Sequence, residues 1–533
     1  MSTDRSDGSS GRRLSAIFSD QHLKTLLKTE DQLSNEPKFG DSYIFDYQDF
    51  KDPRYGSEKD VARLDHDFRE LNFNVYSKYR DLTRQQTLDV LKQAARRANK
   101  DHKCFVCCFL THGNLGRLQM KDGSIEINEI LKCFSRSACQ NLAGIPKIFI
   151  FQACRGSCRE DGVSCSVNGA FYDPTDSGPV IDVPDSLDFL LVYSTYDGTV
   201  AYRTNEEKKH GSFFIDELCR SIEQFSGDLD LLQILTIAHF RVARLFVTKI
   251  DKKKQMPCFT SSLTTKVKFN KNIPMFESPD TKYFDIRRMG TGLGLKSTEK
   301  PIADMKTYKI GGGWNIKFLL LFNTENNFPN CLVDKLCTVY GSARGYEREQ
   351  FPNWTEGELM NLLEQVAAQR CSDIDCLICF ITCQSKDDRL YDTRGRPFHM
   401  RKIVEKFTGN VCSSLRGKPK IFIFLMFSPT QQSSVSADST DCMYENLIPV
   451  HSDILEVIIT VQDARQLNAV IEKFSEIFGN ESSEDFLTQL TRMNEELVKD
   501  YGFYSSSSKN QAKFYINSTL TEALILNKAV SES

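Results

Sequence analysis

The sequence predicts an α/β protein built as two tandem copies of one fold, each a mostly parallel central sheet flanked by helices on both faces. Three observations carry that prediction. A long internal repeat runs through the chain, and strand-like and helix-like patterns alternate within each copy. The most apolar runs are also short, without helical or alternating polarity, as suits strands covered on both faces.

The repeat sets the architecture. LTRQQTLDVLKQAARRANKDHKCFVCCFLTHGNLGRL, from Leu82, aligns without gaps on WTEGELMNLLEQVAAQRCSDIDCLICFITCQSKDDRL, from Trp354, an offset of 272. KIFIF at Lys147 returns letter for letter at Lys420, an offset of 273. Solenoid units run roughly 20 to 50 residues, so a period this long marks duplication of a whole domain. The expected division is a short polar propeptide at 1–38, a first copy at 39–270, a linker rich in Gly, Pro and charge at 271–305, and a second copy at 306–533. The first segment has no space for a folded recognition module, and the Ser-rich run from Ser428 reads as an exposed loop.

Along the first copy, Val61, Leu64, Phe68 and Leu71 have helical spacing. Thr83 and Gln86 form a capping-box signature ahead of Leu88, Leu91, Ala94, Ala95 and Ala98, which predicts a second helix. CFVCCFL from Cys104 and KIFIF from Lys147 predict two central strands. The amphipathic stretches 212–225 and 231–246 predict a further helix pair, and SSLTTKVKF, ending at Phe269, predicts the closing strand.

Composition narrows the function. The 533 residues carry 68 basic and 71 acidic side chains, a net charge of -3, which argues against a nucleic-acid or polyanion surface. No apolar run approaches the roughly 18 to 20 residues that span a bilayer. The N-terminus lacks the apolar region of a secretory signal, so the expectation is a cytoplasmic protein whose 18 cysteines are reduced thiols.

In open α/β sheets, ligands sit beyond the carboxyl ends of the strands. His112 and Gly113 follow the first apolar run, and Gln152, Ala153, Cys154, Arg155 and Gly156 follow the second. A thiol and an imidazole at neighbouring strand ends supply a nucleophile and its proton partner, and the N–H groups of Gly113 and Cys154 could form an oxyanion hole. Other chemistries fit less well. A tyrosine phosphatase needs an arginine six residues after its cysteine, where Glu160 stands; zinc binding by Cys104, Cys107 and Cys108 would need side chains from opposite faces of one strand. No metal or cofactor is expected.

The pentapeptide QACRG, with His112 upstream, resembles the signature of the caspase family of cysteine proteases. FRELNFNV at Phe68, FLTHG at Phe109, KIFIFQACRG at Lys147, DFLLVYST at Asp188, GSFFIDELC at Gly211 and KKQMPCFTSSLTTKVKF at Lys253 extend the resemblance over nearly all of the first copy. It implies that Cys154 is the nucleophile, His112 the acid/base partner, and that cleavage follows aspartate. It also implies that Arg54 of RYGS, Gln152 and Arg203 of AYRTN hold the substrate aspartate, with Tyr202 beside them. Guanidinium forks suit a buried carboxylate. Family members are zymogens. The matching cut here is after Asp176 in DPTDSG, with Asp173 four residues from the scissile bond and Asp182 as a second candidate; the large-subunit part then ends at about 176 and the small begins at about 183. Asp280, Asp285 and Asp304 in the linker are weaker candidates. The charged loop TNEEKKH after Arg203 departs from the pattern and leaves substrate preference open.

The second copy keeps the scaffold pattern without the chemistry. Its register puts Gln384 at the place of His112 and Ser385 at that of Gly113, while LMFSP replaces QACRG, with Phe427 for the nucleophile and Pro429 for the glycine. It resembles a pseudocaspase domain. The expected partners are protein substrates with exposed Asp-X bonds, this second domain, and further copies or other caspases. The expected role is proteolysis in programmed cell death, and the rival is a catalytically silent regulator that binds caspases or their adaptors.

Overall fold

The computed structural model describes residues 38–51, 53–114, 116–156, 160–161, 187–202, 211–246, 253–269, 307–308, 315–323, 346–368, 374–386, 389–427, 452–479, 482–504 and 512–526. Arg203, Asp173, Asp176, Asp182, the linker aspartates and the Ser428 loop lie outside the described residues.

The main strands of the first half are β1 (Gly40–Asp46), β2 (Phe73–Arg80), β3 (Cys104–Leu110), β4 (Lys147–Gln152), β5 (Phe189–Tyr193) and β6 (Cys258–Ser261). Those of the second half are β7 (Ile316–Phe322), β8 (Tyr346–Pro352), β9 (Cys376–Lys386), β10 (Lys420–Phe427), β11 (Ile454–Val461) and β12 (Lys513–Ser518). All belong to one continuous sheet of order β8-β7-β9-β10-β11-β12-β6-β5-β4-β3-β1-β2. Outward from the β6–β12 junction, both halves follow the same order. Only β5–β6, β6–β12 and β11–β12 are antiparallel; the rest is parallel, and crossover helices cover it, as a parallel sheet requires.

Those helices are α1 (Ser57–Glu70), α2 (Arg84–Arg97), α3 (Ile127–Lys132), α4 (Phe213–Phe225), α5 (Leu231–Leu245), α6 (Glu356–Ala368), α7 (Arg401–Glu405), α8 (Ala464–Gly479) and α9 (Phe486–Tyr501). The predicted capping box forms: Thr83 accepts from the Gln86 amide, and the Gln86 side chain accepts from the Thr83 amide at 2.9 Å. Asp230 and Gln233 repeat the device at α5.

Duplication is visible in side chains as well as topology. Lys147 and Lys420, both buried at the start of equivalent strands, donate to carbonyl oxygens of the preceding turn, Leu142 and Ile145 in one case and Leu415 and Lys418 in the other. Asp188 and Asp453 enter β5 and β11 with φ of 64° and 65°, a conformation that Asn and Asp tolerate better than most residues.

The closing strand differs from the sequence expectation. It is β6, Cys258–Ser261, and the chain beyond Ser262 leaves the ladder. Asp188 causes the departure: its Oδ1 accepts from both the Thr264 amide at 3.0 Å and the Thr264 hydroxyl at 2.6 Å, which diverts the chain from strand geometry. The polar alternation of SSLTTKVKF marks that diverted segment.

The halves share more than a strand edge. One apolar core runs beneath both, from Ile44, Val106 and Leu218 through Phe259 to Ile459, Leu490 and Phe514. The opposite face holds two separate cores, one around Phe45, Leu91 and Phe109 and one around Leu363 and Phe424. Along β3, Cys104 and Cys108 face the shared core and Cys107 the other, so the three thiols do not share a face. At the junction Phe259 pairs with Ser518 and Thr260 with Asn517. The Asn494 side chain donates to the carbonyls of Ser262 at 3.2 Å and Leu263 at 3.1 Å, and Lys266 pairs with Glu484 at 3.1 Å.

His239 on α5 is wholly buried, its ring 5.6 Å from that of Phe259, close to the junction. Burial pushes its pKa down to about 3, opposed by the backbone at Leu520. The unfolded chain takes up this proton near the ordinary pKa of about 6.5, so stability is lost as pH falls through that value and continues to fall toward 3. Asp67 and Asp485, raised by burial to about 8 and about 7, act in the opposite direction. The histidine is therefore isolated by comparison: urea unfolding at pH 7 and pH 5 will show His239→Leu gaining about 2 kcal/mol on the parent chain over that interval.

Candidate active site

Four adjacent parallel strands deliver the candidate residues. In the β3–β4 ladder the last pair is Leu110 with Gln152. His112 and Cys154 each stand two residues beyond that pair, so the register alone brings the imidazole and the thiol to neighbouring strand ends. Thr111 ties the two loops together, its amide donating to the Gln152 carbonyl at 3.2 Å. Gly113 completes the contact: a Cβ there would stand 2.8 Å from the Cys154 carbonyl oxygen and 2.9 Å from that of Arg117. No side chain fits that gap.

The second half shows what the site costs the sheet. In its ladder the equivalent strands stay paired further, through Thr382 with Leu425 and Cys383 with Met426 to Gln384 with Phe427. The positions that leave the sheet in the first half thus remain inside it in the second. Gln384, not Cys383, takes the register of His112.

The Cys154 thiol is partly exposed. Its Sγ accepts from the Ala201 amide at 3.4 Å, which brings the segment after β5 over the Cys154 loop. Gln255, 1% exposed, fixes that segment from behind: its Oε1 accepts from the Tyr202 amide at 2.9 Å and its Nε2 donates to the Ser194 carbonyl at 2.6 Å. The Tyr202 ring packs 5.5 Å from that of Phe246. The Phe50 ring meets the His112 imidazole edge-on, with centroids 4.9 Å apart.

Arg54 is buried in the segment that follows β1, whose Asp46 pairs with Leu110 of β3. Its Nη1 donates to the Ser57 hydroxyl at 3.0 Å and the Tyr47 carbonyl at 3.3 Å, and lies 3.8 Å from Asp46 Oδ1. Ser57 donates in turn to Asp46 at 2.5 Å. Burial raises the Asp46 pKa, opposed by the Ser57 hydroxyl and the Arg54 and Arg80 guanidinium groups. Gln152 is also buried, and its Oε1 has no hydrogen-bond partner among the described residues.

The structure thus brings Arg54, His112, Gly113, Gln152, Cys154 and Tyr202 to one edge of the sheet. Sequence reasoning missed Asp46, Phe50, Ser57 and Gln255. Asp46 carried a signal, being an acid that ends the strand run GDSYIFD; Gln255 carried none. The described residues hold no group of three or more His, Cys, Asp or Glu side chains suited to a metal ion, and no helix among them is long and apolar enough to cross a membrane.

The chain is similar to known proteins along much of its length. Caspase-7 of Gallus gallus is 35% identical over 247 residues, covering 44% of this chain and 78% of that protein. Caspase-6 of Bos taurus is 31% identical over 260 residues, covering 45% and 87%. Among solved structures, caspase-1 from Spodoptera frugiperda is 28% identical with a TM-score of 0.39, covering 45% of this chain and 94% of that one. The caspase domain family matches twice, at residues 43–268 and 322–525. With a match over each half of one continuous sheet, the chain belongs to the caspase domain family.

Proposed function

We propose that the chain is a cysteine endopeptidase that cleaves proteins after aspartate, made as a zymogen activated by cutting near Asp176, and acting in programmed cell death. In this reading residues 39–270 are the catalytic domain. Residues 306–533 form a pseudocaspase domain, a dimerisation partner built into the chain. The observation that carries it is the juxtaposition of His112 and Cys154 beyond the last ladder pair, with Gly113 packed on Cys154.

The Cys154 thiolate attacks the carbonyl carbon of the substrate aspartate while the N–H groups of Gly113 and Cys154 receive the oxyanion. The C–N bond breaks, the nitrogen taking a proton from His112. Water, deprotonated by His112, then cleaves the thioester, releases the new carboxylate and restores the thiol. Arg54, Gln152 and Arg203 hold the aspartate side chain, and the Ser57–Asp46 pair sets the Arg54 fork.

Fluorogenic peptides ending in Asp, Glu or Arg test the reading with purified full-length protein, before and after cutting at Asp176. Turnover of the Asp peptide alone supports it; no turnover by the cut protein sinks it in favour of a silent binding protein. Arg54→Ala will lower kcat/KM for the Asp peptide by about a hundredfold, since removing one partner of a buried charge pair costs several kcal/mol.

A further inference from the structure

Directly after Cys154 comes Arg155, a buried residue. Its guanidinium lies 3.9 Å from the centre of the Tyr193 ring, and its Nη2 is 3.4 Å from Asp197 Oδ1. Asp197 belongs to the segment after β5 that covers Cys154. Three backbone amides lock that segment to the Cys154 loop: that of Arg155 donates to the Thr199 carbonyl at 2.9 Å, that of Gly198 to the Arg155 carbonyl at 3.1 Å, and that of Ala201 to Cys154 Sγ at 3.4 Å. The fit leaves no space, since a Cβ on Gly156 would fall 2.1 Å from the Gly198 carbonyl oxygen. Gly198 itself has φ of 81°.

The other oxygen of Asp197 faces the second half. Its Oδ2 lies 3.5 Å from Nη1 of Arg401, the first residue of α7, and Arg401 Nε is held by Glu405 Oε1 at 3.0 Å. A parallel strut joins the Tyr196 hydroxyl to Glu456 of β11 at 3.5 Å. One carboxylate is therefore shared between the guanidinium beside the nucleophile and a guanidinium from the domain that has no nucleophile.

We propose that Arg401 is a positioning residue for the active site of the first half, acting through Asp197 to hold Arg155 and the Tyr196–Ala201 segment against Cys154. The shared carboxylate fixes the segment at the point where it crosses the nucleophile loop. Without Arg401, Asp197 pairs with Arg155 alone, and the segment keeps only the Tyr196–Glu456 strut to the second half. This rests on the protease reading for its effect on turnover, but not for its effect on the loop.

The test separates the two. In the full-length chain, hydrogen exchange at the amides of Arg155, Gly198 and Thr199 will quicken at least tenfold in Arg401→Ala and recover in Arg401→Lys, with the thermal unfolding midpoint unchanged. With the Asp peptide, kcat will fall about fivefold at constant KM. Asp197→Asn will have a comparable effect, and the double variant no more than the larger single one. Exchange at those amides equal to the parent's in Arg401→Ala overturns the proposal, whatever the activity. Faster exchange in a protein that turns over no Asp peptide leaves the relay standing and removes the protease reading.

Discussion

Cys154→Ala will abolish cleavage after aspartate, with a loss of about a thousandfold or more in kcat, while the folded chain persists. The expectation rests on what the substitution removes and what it leaves. Alanine deletes the sulfur that, in the proposed mechanism, bonds to the carbonyl carbon. The ladder pair Leu110–Gln152 and the contact of Gly113 with the Cys154 carbonyl involve backbone and survive. Rescue by another thiol is closed to the buried cysteines nearest the site. Cys104, Cys107 and Cys108 lie inside β3, and burial raises their pKa values far above the ordinary range. Cys258, on the neighbouring antiparallel strand, is pushed up to about 12. Peptide turnover and mass-spectrometric alkylation on the same samples check this. Among the described cysteines only Cys133 and Cys154 are not buried, so the parent's iodoacetamide adducts will fall on these two, and Cys154→Ala will lose the Cys154 adduct together with the turnover. Unchanged turnover in that variant would place the nucleophile elsewhere.

The sequence told most about the parts of the fold fixed by local pattern. CFVCCFL and KIFIF form central strands because an apolar run without polarity can be satisfied only between two covered faces. Thr83 and Gln86 form their cap because both partners sit within four residues. SSLTTKVKF misled because its alternation is local, whereas the bond from Thr264 to Asp188 spans 76 residues and diverts the chain. The same division runs through the site. His112, Gly113, Gln152 and Cys154 were legible because a motif carried them. Asp46, Asp197 and Gln255 were not, since each acquires its role from a partner distant in the chain: Gln255 reaches Ser194 and Tyr202, and Asp197 reaches Arg155 and Arg401. The repeat announced two domains, but nothing in its spacing announced that Phe259 and Thr260 would pair with Ser518 and Asn517.

That pairing underlies the second large effect. A first half without residues 306–533 loses the strand on the open edge of β6, the side of the shared core built by Ile459, Leu490 and Phe514, and the Asn494 bonds to Ser262 and Leu263. An uncovered strand edge beside exposed apolar side chains seeks another chain, and the nearest equivalent surface is a second copy of the same fragment. Tethering makes the partner's effective concentration about millimolar for a suitable linker. Full-length protein will therefore keep a constant specific activity from about 1 nM to about 10 μM. The truncated protein will lose activity at least a hundredfold at the low end and recover part of it as it self-associates. Sedimentation on the same dilution series will follow the recovery. Asn494→Ala in the full chain supplies the milder control: it weakens the junction without removing a domain, and it will lower activity equally at every concentration, because the partner cannot diffuse away. Specific activity of the truncated protein that matches the full chain at nanomolar concentration would separate the second half from catalysis.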